Sequence, residues 1–211
     1  MPLRESWEFF RQFRERFETT GAILPSSRFL ARAMTRPLAR RAGPVRVLEV
    51  GPGTGAVTNQ IVKLLKPEDT FDLVEINDQF ANHLRAKFKS DTSWNRVAAQ
   101  SQVHVCPLQE FRPERPYDII ISGLPFNNFP AVLVQELIDA CLGMLAPQGD
   151  FAFFEYIYIR SVKRLMMRGK EGQRLGEIER ILQSRFSTHR VRRDWVFPNL
   201  PPAWVQHLTV K

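Results

Sequence analysis

Two stretches of this 211-residue chain carry residue types whose order suits chemistry. The first is Glu49-Val50-Gly51-Pro52-Gly53-Thr54-Gly55, at the end of the apolar run 45–50. Alternating glycines after a buried strand let the backbone turn tightly and approach a ligand, while the helix that follows offers its free N–H groups. Glu75 and Ile76 end the next apolar run, and a carboxylate twenty residues beyond Gly55 is placed to accept hydrogen bonds from two ribose hydroxyls. These features predict a nucleotide-like cofactor. Gly51, Gly53 and Ala56 also satisfy the looser nicotinamide spacing, so the glycines by themselves leave two cofactors open.

The second stretch is Ser122-Gly123-Leu124-Pro125-Phe126-Asn127-Asn128-Phe129-Pro130, a proline turn with an aromatic ring behind a strand. The same composition also serves as a plain strand-ending turn. Further on, Glu155, Tyr156 and Tyr158 lie near the end of another apolar run. In an extended chain Tyr156 and Tyr158 share a face, where their rings could attract a methylammonium while Glu155 takes its proton. His83, His104, His189 and His207 have no motif around them. Cys106 and Cys141 lack metal-ligand spacing and sit in apolar runs, which predicts reduced thiols, no metal and a cytoplasmic setting.

Such residues need elements to hold them. From residue 45 the chain alternates short apolar runs with helical patterns, predicting strands at 45–50, 71–76, 102–106, 117–122 and 151–159 and helices at 56–65, 78–88 and 131–145. A basic helical stretch at 161–184 follows. Runs at 189–197 and 203–210 then flank Asn199-Leu200-Pro201-Pro202, the pattern of an antiparallel pair at one end of a parallel sheet. With 44% hydrophobic and 25% charged residues the chain is not a disordered one, and no apolar run reaches membrane-spanning length.

The formal charge of +8 is unevenly spread, at +6 over 1–46, −6 over 47–155 and +8 over 156–211. Basic flanks around an acidic centre suit a polyanionic partner, either an anionic membrane surface or nucleic acid. Trp7, Phe10, Phe13 and Phe17 recur at helical spacing with Arg11 and Arg14 between them, as in a helix lying among lipid headgroups. A helix docked on its own core would show the same pattern. Lys163, Arg164 and Arg168 add a second basic segment, at about 1 kcal/mol per charge near an anionic surface. The chain thus divides into an N-terminal membrane-binding and lid segment, 1–40, and a domain over 41–211; no obligate protein partner is evident.

Five parallel strands, a terminal antiparallel pair and the acidic Glu49 before three glycines resemble the class I methyltransferases that use S-adenosylmethionine. The resemblance implies an α/β, Rossmann-like seven-stranded sheet, parallel with a C-terminal antiparallel hairpin, with helices on both faces. It implies cofactor contacts from Glu49, Gly51, Gly53, Thr54, Gly55, Glu75, Ile76, Pro107, Leu108 and Ser122. The Asp that often follows the third strand is missing from Cys106-Pro107-Leu108-Gln109-Glu110, which leaves the backbone and apolar surface of Pro107 or Leu108 for the adenine. Amine methyltransferases place Asn-Leu-Pro-Tyr or a relative after the fourth strand, where carbonyl oxygens face the amine and the aromatic ring packs over it. Here Gly123 stands where adenine methyltransferases have Asn, and Leu124 joins the acceptor candidates Glu155, Tyr156 and Tyr158.

Across most of its length the chain resembles the bacterial phospholipid N-methyltransferases that act on phosphatidylethanolamine, and more distantly the ribosomal RNA adenine dimethyltransferases. The likeness rests on Thr20-Gly21-Ala22-Ile23-Leu24-Pro25-Ser26-Ser27-Arg28-Phe29-Leu30-Ala31, the glycine loop, Ser122-Gly123-Leu124-Pro125 and Asn199-Leu200-Pro201-Pro202-Ala203. It implies a peripheral membrane enzyme that methylates an amine-containing phospholipid. A nucleic-acid adenine N6-methyltransferase is the alternative, and a membrane-binding module with a lapsed cofactor site is a third.

Overall fold

Buried runs and amphipathic helices assemble into a seven-stranded sheet of order β3-β2-β1-β4-β5-β7-β6. The computed structural model describes residues 27–157 and 170–211. Its elements are α1 (Arg28–Met34), α2 (Arg36–Arg40), β1 (Arg46–Val50), α3 (Thr58–Leu64), β2 (Thr70–Val74), α4 (Asp78–Ser90) and α5 (Thr92–Asn95). They continue with β3 (Ser101–His104), β4 (Tyr117–Ser122), α6 (Ala131–Gly143), β5 (Leu145–Tyr156), α7 (Lys170–His189), β6 (Arg190–Val196) and β7 (Ala203–Thr209). Strands β1 to β5 pair in parallel, and β7 runs antiparallel between β5 and β6. This is the mixed sheet of the class I methyltransferases, as the element order implied.

The strands at the centre are apolar on both faces because both are covered. On one side Leu48, Ile120, Phe151 and Phe153 pack under α6 and α7, which contribute Leu133, Leu137, Ile178 and Leu182. On the other, Val47, Ile119, Ile121, Phe154 and Tyr156 pack under α1, α3 and α4 through Leu30, Met34, Ile61 and Leu84. Leu30 and Met34 are wholly buried, so residues 28–40 are built into the sheet's own core. Trp7, Phe10, Arg11, Phe13, Arg14, Phe17, Tyr158, Lys163, Arg164 and Arg168 lie outside the described residues. Among the described residues no helix is long and apolar enough to cross a membrane.

Three boundaries differ from the sequence reading. Strand β5 starts at Leu145, not at 151, because Leu145 pairs with Tyr117; Pro147 to Gly149 then form an irregularity inside the strand, with Gln148 at φ 59 and its N–H on Val210 O. The same strand ends at Tyr156, and residues 158 and 159 of the expected run lie outside the described residues. Helix α7 continues past Ser184 to His189 because Leu175, Ile178, Leu182 and Phe186 extend one buried stripe that far.

Candidate active site

The loop from β1 to α3 holds Gly51 at φ 67, Gly53 at φ 58 and Gly55 at φ 82. At Gly51 a Cβ would lie 2.3 Å from Leu124 Cδ2, and at Gly55 it would lie 2.7 Å from the Trp94 ring. Besides their left-handed conformation, these two glycines are therefore required by the packing of the loop against its own protein. Glu75, 1% exposed, accepts the Gly53 N–H through Oε2 and the Asn77 N–H through Oε1, each at 3.0 Å. It joins the glycine loop to the start of α4, and a carboxylate that accepts two N–H groups keeps lone pairs for hydroxyl donors.

Glu49 ends inside the protein. Thr58 Oγ1 donates to its Oε2 at 2.7 Å, while Oε1 is buried with no hydrogen-bond partner among the described residues. Burial pushes this carboxyl up to about 8; the Thr58 hydrogen bond pulls it down and the charge of Glu75 adds to the rise.

Between the ends of β1, β2 and β4 lies a cavity walled by Gly51, Glu75, Ile76, Pro107, Leu108 and Leu124. Six residues expected at the cofactor or acceptor thus meet in one place. Glu49, Gly53, Thr54, Gly55 and Ser122 are not part of its wall; Ser122, fully buried, accepts the Leu124 N–H on its Oγ at 3.3 Å. Gln109 also lines the cavity, and its amide nitrogen is buried without a partner among the described residues. Sequence reasoning gave it no role. The available signal was that Gln109 is the one side-chain amide in residues 106–110.

The Gly123 N–H donates to Val50 O at 2.9 Å, and a Cβ at this position would lie 2.7 Å from Gly51 O. The end of β4 and the glycine loop approach so closely that glycine is the residue position 123 accommodates. Phe126 and Phe129 are each 1% exposed, and the Phe126 ring packs edge-on to Phe153 at 5.2 Å, so the aromatic residue of this turn serves the core. Arg174 of α7 donates to Asn127 O at 3.0 Å and Phe129 O at 2.6 Å, holding the turn from outside; the sequence reading counted it only as one charge of the basic segment expected to face an anionic surface.

Glu155 and Tyr156 are neighbours on β5 and so face opposite sides of the sheet. Glu155 is 1% exposed and accepts from Gln206 Nε2 at 2.8 Å. Tyr156 packs edge-on to Phe154 at 5.1 Å within the α1 core, where burial raises its hydroxyl pKa. Neither is part of the cavity wall.

The profile of a family described as AdoMet dependent proline di-methyltransferase matches residues 17–165. An ornithine lipid N-methyltransferase from Singulisphaera acidiphila is 28% identical over 149 residues, covering 71% of this chain and 77% of that protein. A ribosomal RNA small subunit methyltransferase A from Wolbachia pipientis is 30% identical over 116 residues, covering 51% of this chain but 37% of that longer protein. Among solved structures, the O-methyltransferase TomG from Streptomyces achromogenes in complex with SAM superposes with a TM-score of 0.62 at 13% identity, covering 87% of this chain and 79% of that one. The site accommodates the cofactor this fold implies: a buried carboxylate, an apolar wall and an amide nitrogen in need of a partner surround one cavity.

Proposed function

This chain belongs to the AdoMet dependent proline di-methyltransferase family, and on that premise we propose that it methylates the amine headgroup of a membrane lipid such as phosphatidylethanolamine. S-adenosylmethionine supplies a methyl group carried on a sulfonium. The chain's part is to hold the two reactants. Glu75 would take the ribose hydroxyls, Gln109 and Leu108 the adenine, and residues 51–55 the polar remainder.

Methyl transfer from a sulfonium is an in-line displacement, so the enzyme must hold a neutral amine on the S–CH₃ axis. An alkylammonium with a pKa of about 10 in water must first shed a proton. We assign orientation of the amine to the carbonyl oxygens of the turn after Ser122 and exclusion of water to the buried Leu124; the proton leaves to solvent, because Glu155 is buried against Gln206 outside the cavity wall. Tyr156 is given a packing role. Residues 1–26 and the basic segment around Lys163, Arg164 and Arg168 are proposed to hold the protein peripherally on an anionic membrane.

One observation carries the choice of acceptor. Position 123 has no room for a Cβ, so the side-chain amide that would grip an adenine edge has no place on this backbone. An aliphatic amine needs no such grip, and the Singulisphaera relative is an enzyme of an amine-bearing lipid. The alternative acceptor, ribosomal RNA, draws on the Wolbachia relative and the basic flanks. Incubation with methyl-labelled S-adenosylmethionine and, separately, phosphatidylethanolamine vesicles, ornithine lipid vesicles and ribosomal RNA tests the reading. Label in a lipid is expected; label in RNA alone would reject it.

A further inference from the structure

The loop between β6 and β7 has its polarity turned inside out. Asn199 is 5% exposed; its Oδ1 accepts the Ser27 N–H at 3.1 Å and its Nδ2 donates to Pro201 O at 2.7 Å. Leu200 beside it is 71% exposed and Phe197 64%. Trp195, 55% exposed, stacks on Phe197 at 5.6 Å and stands edge-on to Trp204 at 5.4 Å. A surface loop that satisfies its amide inside and presents three large apolar side chains outside is built to meet something apolar.

Its position narrows the choice. Val196 pairs with Ala203 and Ala203 with Tyr156, so the loop lies off the C-terminal end of β5. That is the end of the parallel sheet at which the glycine loop follows β1 and the Gly123 turn follows β4. Cations accompany the aromatics: Arg193 lies 4.9 Å over the Trp204 ring and Arg28 lies 5.0 Å over the 39% exposed Phe29. The loop also receives the chain at two points, since Ser27 and Ile157, where residues 1–26 and 158–169 join the described fold, both donate to it.

We infer that the β6–β7 hairpin tip is a docking surface for an anionic lipid bilayer, with Trp195, Phe197 and Leu200 entering the interfacial region and arginines on the phosphates. Trp and Phe at headgroup depth beside basic side chains is the composition such an interface takes. The choice of a bilayer over a protein partner rests on the lipid-amine reading. Docking by this tip turns the cavity end of the sheet toward the membrane, where an amine headgroup would be.

The test is sedimentation of the full chain with vesicles of phosphatidylcholine mixed with phosphatidylglycerol, and of phosphatidylcholine alone. Wild type is expected to pellet with the anionic vesicles, and the double variant Phe197→Ser/Leu200→Ser to partition about tenfold more weakly, because two side chains no longer leave water. Each single variant is expected to lose about threefold, which keeps the test open should the double variant not fold. Val191→Ser, altering a 58% exposed residue at the far end of β6, is expected to match wild type. Unchanged partition of the hairpin variants overturns the proposal. So does an equal loss in Val191→Ser, equal wild-type binding to both vesicle types, or a change in oligomeric state without a change in partition. Partition does not depend on turnover. Hairpin-dependent binding by a protein that methylates no lipid upholds the docking surface and removes the lipid acceptor; lipid methylation with hairpin-independent binding does the reverse.

Discussion

The β1–β2 end of the sheet and the β5–β7 end reach similar burial by different routes. In the first, Glu75 reaches Gly53 and Asn77 across 22 and 2 residues, and Glu49 reaches Thr58 across 9. In the second, Ser27 meets Asn199 across 172 residues, Arg36 meets Asp194 across 158, and Glu155 meets Gln206 across 51. Contacts of the first kind close short loops at little entropic cost, whereas those of the second form only when most of the chain is already in place. The glycine loop and Glu75 can thus keep their geometry while the acceptor side is rebuilt around them.

The largest expected effect tests the independence of the first end. Glu75→Ala removes the acceptor of two loop N–H groups together with the proposed ribose contact, and should weaken S-adenosylmethionine binding about a hundredfold by calorimetry. Vesicle partition should not change. Wild-type affinity in this variant would mean that the cleft is not organised through Glu75.

The two ends should also fail at opposite extremes of the pH scale. Glu49 holds its proton in the fold up to about pH 8 but ionises near the ordinary 4.5 once unfolded. The fold therefore binds the extra proton between those values, and its contribution, complete below 4.5, is lost as pH rises through 8. Glu49→Gln should gain on wild type by on the order of 2 kcal/mol at pH 9, with little difference at pH 5, in denaturant melts. His207, 2% exposed on β7, behaves in the other sense: burial lowers its pKa below 6.5 against the attraction of Asp194, so its contribution is present above 6.5 and is lost in acid. Parallel pH profiles for Glu49→Gln and wild type would show that the Glu49 carboxyl is not held protonated.

A smaller effect is expected between the two ends. Arg174→Gln frees the Asn127 and Phe129 carbonyls from α7 and should lower the turnover number about tenfold through a less ordered acceptor turn. S-adenosylmethionine affinity should stay as in wild type. Equal losses in both would mean that α7 supports the whole cleft.

The same division explains what could be read from residue order. The glycine loop and Glu75 announce themselves because their partners lie within one supersecondary unit, and the runs of β1 and β4 do so because both of their faces are apolar. Gln109, Asn127 and Arg174 carry no such sign: Gln109 lines the cavity through a short 3-10 turn after β3, and Arg174 matters because a helix formed nearly fifty residues later crosses back over the turn. The exposed face of the hairpin was hidden for a related reason. Asn199-Leu200-Pro201-Pro202 reads as a proline loop between two strands, and it takes the bonds to Ser27 and Pro201 to show that its amide faces inward.

The smallest expected effect bears on that long-range tie. Ser27 serves it twice, since its N–H donates to Asn199 Oδ1 and its Oγ caps α1 by accepting the Leu30 N–H at 3.2 Å. Ser27→Ala removes the cap and leaves the backbone donor, so it separates the helix's own stability from the tie to the hairpin. Losing a serine cap costs about 1 kcal/mol, which for a chain of this size lowers the melting temperature by roughly 2–4 °C. Cofactor affinity should match wild type, because α1 packs beneath β5–β7 and reaches the glycine loop only through the shared core. A much larger drop in melting temperature would show that the cap and the Asn199 bond form as one unit. In that case the β5–β7 end depends on its first helix far more than one capped turn implies.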